Sequence, residues 1–119
     1  MASQAACGST CEIVEMESYV RDLHVYQDGW TPFCGEVLQL KREPDNSVDK
    51  NAAAVVKNDG SVVGHVPYNL APTFSNFLKR DFNKATVEIT GNKVNRGAGY
   101  GLELPCKYCL SLWPQTIHG

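Results

Sequence analysis

The chain has 119 residues, of which 43% are hydrophobic and 20% are charged, and its formal net charge is −2. This length and apolar content fit one compact domain with its own core, and they exclude a disordered chain. The acidic total excludes a protein that coats nucleic acid by bulk attraction, so any such binding has to be local. Residues 1–60 carry 5 basic and 10 acidic side chains, whereas residues 61–119 carry 6 and 3, so a local basic face remains compatible with the sequence.

The amino-terminal segment is small and polar and then acidic. Its start, "MASQAACGST", has no basic residue and no apolar stretch of secretory length, so it is not typical of a signal peptide. The long uncharged stretch at residues 61–78 is interrupted by proline, asparagine and histidine, which argues against a membrane span. We therefore expect an intracellular protein in which residues 1–17 form a tail, residues 18–114 form the domain, and residues 115–119 form a second tail.

Strand and turn signals follow one another through the first half of the domain. The apolar run in "GEVLQLKRE", residues 35–43, predicts a strand, and Pro44 with the two residues after it predicts a turn. In "AAAVVKNDGSVVGHVP" an Asp-Gly pair separates two short apolar runs, which is a hairpin signal because glycine adopts positive φ without a Cβ clash. Strands are therefore expected at residues 52–57 and 61–66.

The second half predicts one helix and two more strands. One helical face is indicated by the spacing of Leu70, Phe74, Phe77 and Leu78. The segments "KATVEITG" and "GLELPCKYCL" alternate apolar and polar residues as half-buried strands do, and the glycine-rich "GNKVNRGAGYG" between them predicts a loop. Short strands without strand-helix alternation indicate a mainly β domain with one or two helices, either barrel-like or sandwich-like.

Acid, base and amide side chains adjoin where the loop "REPDNSVDKN" meets the strand "AAAVV". Asp49 can accept a hydrogen bond from a hydroxyl group, Lys50 can neutralise a phosphate, and Asn51 can donate or accept. A side chain beside the start of a strand is held by the sheet and can be aimed at a ligand. The structural alternative is a capped turn, in which the Asp and Asn side chains bond their own backbone.

The pattern "LKREPDNSVDKNAAAVV", then "DGSVVGHVP", then a helix resembles the HIRAN domain over residues 20–112. The resemblance implies a small OB-like β barrel that captures the 3′ end of single-stranded DNA. It also implies that a carboxylate binds the terminal 3′-hydroxyl group, and Asp49 matches that position. Such a carboxylate accepts from a free hydroxyl but repels the phosphodiester of a continuing strand. The chain departs from the pattern at Val48, where a tyrosine stacks on a base, and at Pro67 and Tyr68, which replace lysines.

Aromatic and basic side chains elsewhere supply further candidate contacts to DNA. Tyr26, Tyr68 and Tyr100 are candidate stacking platforms, because stacking on a base requires an exposed ring. Lys93 and Arg96 lie in the glycine-rich segment, where the backbone can approach a ligand closely and arginine can bind phosphate through two N–H groups. Each has a structural alternative, since the aromatic rings also suit the core or its rim and the glycines also suit a wide turn.

The five cysteines are an odd number, which favours reduced thiols over a disulfide framework. If the amino-terminal tail folded back onto the last strand, four thiolates could bind one zinc ion, those of Cys7, Cys11, Cys106 and Cys109. The last two fall in a predicted strand, where side chains three residues apart point to opposite faces, so buried or incidental thiols are the simpler interpretation. We expect no metal, no cofactor and no enzyme, because no catalytic triad, Cys-His pair or carboxylate pair is evident.

The first hypothesis is thus a non-catalytic domain that binds single-stranded DNA ends, with a partner protein supplying motor or nuclease activity. A nuclear location follows from the resemblance alone, because the chain has no basic import cluster. The alternative is a protein-interaction module on the same barrel that has lost DNA-end capture, which the acidic net charge and Val48 favour. Salt separates the two hypotheses, because binding through phosphate contacts weakens steeply as salt rises.

Overall fold

Seven strands and one helix lie wholly within the described part of the chain, which comprises residues 12–23, 30–97, 99 and 101–112 of a computed structural model. In chain order these elements are β1 (Glu12–Val20), β2 (Val37–Arg42), β3 (Ala53–Val56), β4 (Val62–His65), α1 (Ala71–Leu78), β5 (Lys84–Ile89), β6 (Val94–Asn95) and β7 (Leu102–Leu112). No helix in these residues is long and apolar enough to cross a membrane. The predicted mainly β fold is confirmed.

The strands pair antiparallel in the order β1-β7-β5-β2-β3-β4, and the short β6 pairs with the first residues of β7. The sheet curls until its two ends meet at one point, beside the end of β1. There the N–H groups of Arg21 and His65 each donate to the carbonyl oxygen of the other at 2.8 Å. This bridge closes one end of the sheet into a half-barrel.

The core fills the inside of the curled sheet with side chains from alternate strand positions. The ring of Phe74 on α1 meets the ring of Tyr108 on β7 edge to face, with centroids 5.1 Å apart. The hydroxyl group of Tyr108 donates to the carbonyl oxygen of Tyr19 at 2.7 Å. The predicted apolar face of the helix therefore packs on the core, and the buried tyrosine connects β7 to the end of β1.

Two strands lie where the sequence predicted none. β1 begins inside the predicted tail of residues 1–17, and β6 lies inside the predicted glycine-rich loop. Ile13 and Val14 are adjacent and both exposed, so β1 lacks the alternation that marks a half-buried strand. The residues of β6 are also exposed. Both strands form because β7 is long enough to pair with each of them.

Closure of the sheet depends on a glycine at position 64. A Cβ atom there would lie 2.5 Å from Cγ1 of Val20 and 2.8 Å from the carbonyl oxygen of Arg21. Gly64→Ala therefore forces β1 and β4 apart, and we expect it to lower the free energy of unfolding by about 1–3 kcal/mol, as overpacking does. Urea denaturation measures this change. A variant as stable as the wild type would show that the two strands are not held this closely.

Candidate functional site

A cleft of about 330 Å³ opens beside the bridge that closes the sheet. Its walls come from the end of β1, the loop between β2 and β3, the end of β4 and the start of α1. The lining residues are Arg21, Asp22, Asn46, Val48, Asp49, Ala52, His65, Val66, Tyr68 and Ala71. Two carboxylates, a guanidinium and an imidazole thus lie among apolar and aromatic side chains. The cleft therefore suits a ligand with a polar end and a flat or apolar body.

The loop between β2 and β3 is folded by its own side chains. Oδ1 of Asn46 accepts the backbone N–H groups of Val48 at 2.9 Å and Asp49 at 3.0 Å. Oδ1 of Asp49 accepts the N–H of Asn51 at 2.9 Å. The capped turn considered as the structural alternative is therefore present. It does not exclude a binding role, because Oδ2 of Asp49 makes no hydrogen bond within the described residues.

The structure brings two of the predicted contact residues together in the cleft. Asp49 lines it, and so does Tyr68, whose 74% exposure leaves the ring accessible for stacking. Lys50 and Asn51 follow Asp49 in the chain but do not line the cleft. Outside the described residues lie Tyr26, Tyr100, Cys7 and Cys11. Asp49 and Tyr68 therefore remain the two predicted residues on which a site can be built.

The arginine of the glycine-rich segment is bound to a buried carboxylate. Nε and Nη2 of Arg96 donate to the two oxygens of Glu103 at 2.8 and 3.1 Å, and the guanidinium lies 3.9 Å from the ring centroid of Tyr19. Arg21 also donates to Glu103, from Nε at 2.7 Å. Glu103 is fully buried, and the two guanidinium groups, Arg96 first, hold its pKa below the ordinary value. Lys93, in contrast, is exposed on the segment before β6.

An imidazole lies between two carboxylates at the edge of the cleft. Nε2 of His65 donates to Oε1 of Glu43 at 2.7 Å, and Nδ1 lies 3.3 Å from Oδ2 of Asp22, an ion-pair contact. The carboxylates, Asp22 first, raise the pKa of His65 above its ordinary value although partial burial acts the other way. Asp22 has a φ of 65°, a conformation that aspartate adopts more readily than most residues. The hydrogen bond of the His65 ring is thus made to a charged partner, Glu43.

The residues that sequence reasoning missed are those that depend on closure of the sheet. Arg21 and Asp22 enter the cleft because the bridge places the end of β1 against β4. No local motif marks them, since their neighbours in the cleft are distant in the chain. The Gly64-His65 pair was the one available signal, because a glycine in a strand often marks a close approach of two backbones.

The two cysteines of β7 differ in exposure. Cys106 is buried and Cys109 is half-buried. Burial raises the pKa of the Cys106 thiol to about 12, as expected of a thiol in apolar surroundings. Within the described ranges, no group of three or more His, Cys, Asp or Glu side chains is arranged to hold a metal ion.

A small antiparallel sheet that curls and closes on itself places this chain in the class of small OB-like β domains. The HIRAN domain model matches residues 19–108, and the chain therefore belongs to the HIRAN domain family. The resemblance found in the sequence is confirmed. A comparison with curated proteins finds no match.

Solved structures share this fold. The crystal structure of the HIRAN domain of human HLTF aligns with a TM-score of 0.66 at 23% identity, covering 82% of this chain and 74% of that chain. The NMR structure of the HLTF HIRAN domain in its DNA-bound conformation aligns with a TM-score of 0.61 at 24% identity, covering 88% and 80%. A crystal structure of a Lactobacillus plantarum protein aligns with a TM-score of 0.53 at 17% identity, covering 84% and 98%. The predicted OB-like fold is confirmed.

Proposed function

We propose that this HIRAN domain binds single-stranded DNA at a free 3′-hydroxyl end, in the cleft beside the sheet closure and without catalysis. The observation that carries the proposal is that Asp49 lines this cleft together with Arg21 and an exposed Tyr68. A hydroxyl acceptor, a phosphate-binding cation and a stacking ring are the three groups that a terminal nucleotide requires. The DNA-bound conformation of the HLTF HIRAN domain, which has the same fold, supports DNA as the ligand.

Selectivity for an end follows from the charge of Asp49. Its Oδ1 is used by the turn, so Oδ2 is the atom that accepts from the 3′-hydroxyl group. A strand that continues past this point, or one that ends in phosphate, would place a second negative charge against the carboxylate. The cleft should therefore bind the last nucleotide of a strand and reject an internal one.

The apolar part of the cleft would bind the terminal base. Val48 is 91% exposed and lies with Tyr68 in the cleft lining, so both present surface that a base can cover. Stacking on an aromatic ring contributes ~1–3 kcal/mol per base. Tyr68 would supply this contribution, since Val48 has no ring. The proposed stack therefore depends on one aromatic side chain in the cleft.

Phosphates of the preceding nucleotides would follow the basic groups outward from the cleft. Arg21 and Arg96 both bind Glu103, and Arg96 lies on the same segment as Lys93. The proposed path of the DNA backbone therefore leads from the cleft to that segment. Lys50, next to Asp49 in the loop between β2 and β3, is a further candidate for phosphate contact. A nuclear site of action and a partner that supplies motor or nuclease activity are the corresponding hypotheses for the cell.

Fluorescence anisotropy tests the proposal with a short single strand that ends in a 3′-hydroxyl and the same strand ending in a 3′-phosphate. We expect the hydroxyl end to bind more tightly. A plot of log affinity against log salt concentration should have a slope of about −0.7 for each phosphate contacted. Equal binding of both ends would reject end capture. Absence of binding at low salt would reject DNA as the ligand.

A protein-interaction module is the second candidate function. Asp22 and Asp49 both line the cleft against the single guanidinium of Arg21, and this excess of carboxylates opposes a phosphate. A peptide with a cationic group would instead gain from it. Failure to bind any strand in the anisotropy titration would favour this candidate.

A further inference from the structure

A series of hydrogen bonds joins the His65 side of the cleft to the loop that carries Asp49. Oε1 of Glu43, the residue after β2, accepts from Nε2 of His65 at 2.7 Å and from Nδ2 of Asn46 at 3.1 Å. Asn46 in turn accepts the N–H groups of Val48 and Asp49. Glu43 does not itself line the cleft. It therefore contacts the residues on both sides of the site without facing the ligand.

The carboxylate of Glu43 determines which way the Asn46 amide faces. An asparagine side chain presents NH₂ on one side and oxygen on the other, and a carboxylate only accepts. Glu43 therefore holds the NH₂ towards itself, so Oδ1 faces the N–H groups of Val48 and Asp49. If the Asn46 amide were reversed, its NH₂ group would face the N–H groups of Val48 and Asp49. Donor would then face donor, and the turn of residues 46–49 would open. The position of Asp49 in the cleft depends on this orientation.

His65 connects the turn to the end of β1. A neutral imidazole carries one N–H and can donate to Glu43 or to Asp22, whereas a protonated ring donates to both. The charged groups that face or adjoin the ring are these two carboxylates, with Arg21 bridged to His65 through the backbone and Asp49 in the same cleft. Protonation also adds one positive charge to a cleft rich in carboxylates, which favours a DNA phosphate.

We propose that Glu43 is a positioning residue for the 3′ end, and that it holds the Asp49 loop in its binding shape while His65 is protonated. This inference rests on the proposed function, because Asp49 is the residue that accepts from the 3′-hydroxyl group. Affinity should be greatest while His65 carries its proton and should fall as the pH rises through the pKa of His65. Because the carboxylates raise that pKa, the fall occurs at a higher pH than an ordinary histidine would give.

The pH profile of strand binding tests the role of Glu43. Between about pH 5.5 and pH 8.5, the range in which histidine titrates, we expect wild-type affinity to fall about tenfold, as for one lost charge-assisted hydrogen bond. Glu43→Gln keeps an acceptor for Asn46 but loses the charge that faces His65, so its affinity should fall less than that of the wild type, through the charge of His65 beside Asp22 alone. Glu43→Ala should bind about tenfold more weakly than the wild type at low pH. Glu88→Gln makes the same charge change outside the cleft lining and should keep the wild-type profile.

NMR of the unliganded protein separates this inference from the proposed function. We expect the backbone amide resonances of Val48 and Asp49 to shift with the same midpoint as the ring of His65, and Asn46→Ala to abolish the coupling. If the amides follow His65 but no strand binds, the positioning stands and DNA is the wrong ligand. If strands bind through Asp49 but the amides ignore His65, or Glu43→Gln keeps the wild-type profile, the inference is overturned.

Discussion

Glu103→Ala is expected to lower the free energy of unfolding by on the order of 3 kcal/mol. The carboxylate is fully buried, and Arg21 and Arg96 bind both of its oxygens. The substitution removes the shared partner of the two arginines. The Arg21 side chain, 19% exposed, is left largely without water, whereas the Arg96 side chain, 39% exposed, can regain contact with water. It also removes the side-chain link between Arg96, which follows β6, and Arg21, which follows β1. Urea denaturation at neutral pH measures the loss.

A half-buried carboxylate on the same sheet provides the matched control. Glu88 on β5 lies 3.7 Å from the ammonium group of Lys107, and Glu88→Ala should change stability by no more than about 0.5 kcal/mol. Equal stability of the two alanine variants would contradict a stabilising role for Glu103. Acid gives a second check. The arginines lower the pKa of Glu103, so its contribution is present above the unfolded-state pKa and is lost as pH falls through the folded-state pKa.

Asp49→Asn is expected to abolish the preference for a 3′-hydroxyl end over a 3′-phosphate end. Asparagine keeps an oxygen for the N–H of Asn51, so the turn is retained, but the charge that repels phosphate is removed. Affinity for the hydroxyl end should fall by the ~1.5–3 kcal/mol of a hydrogen bond to a charged group. Affinity for the phosphate end should not fall. Anisotropy titrations of both strands at low salt measure the two affinities.

The β3–β4 hairpin offers the same substitution away from the cleft. Oδ1 of Asp59 accepts the N–H of Ser61 at 2.9 Å, so Asp59→Asn changes the same charge in the same kind of turn. This variant should bind both strands as the wild type does. If Asp49→Asn also keeps the preference for the hydroxyl end, a group other than Asp49 must recognise that end.

Local patterns predicted the elements whose signal lies within one segment. The Asp59-Gly60 turn placed β3 and β4 on either side of it, and the spacing of Phe74 and its neighbours predicted α1. β1 was not predicted because Ile13 and Val14 do not alternate with polar residues in the manner of a half-buried strand. Its partner is β7, at the other end of the domain in sequence, and the pattern within one segment does not indicate a pairing with so distant a segment.

The sequence by itself determined the mainly β class, the hairpin, the helix, the family and the candidate carboxylate at Asp49, because each depends on neighbouring residues. Only the tertiary structure decided which groups share the cleft. Arg21 and Glu103, 82 residues apart, meet because β1 pairs with β7. His65 enters the cleft because the curled sheet brings β4 against the end of β1. Such contacts depend on the twist of the whole sheet and on which of its ends meet, which no single segment specifies.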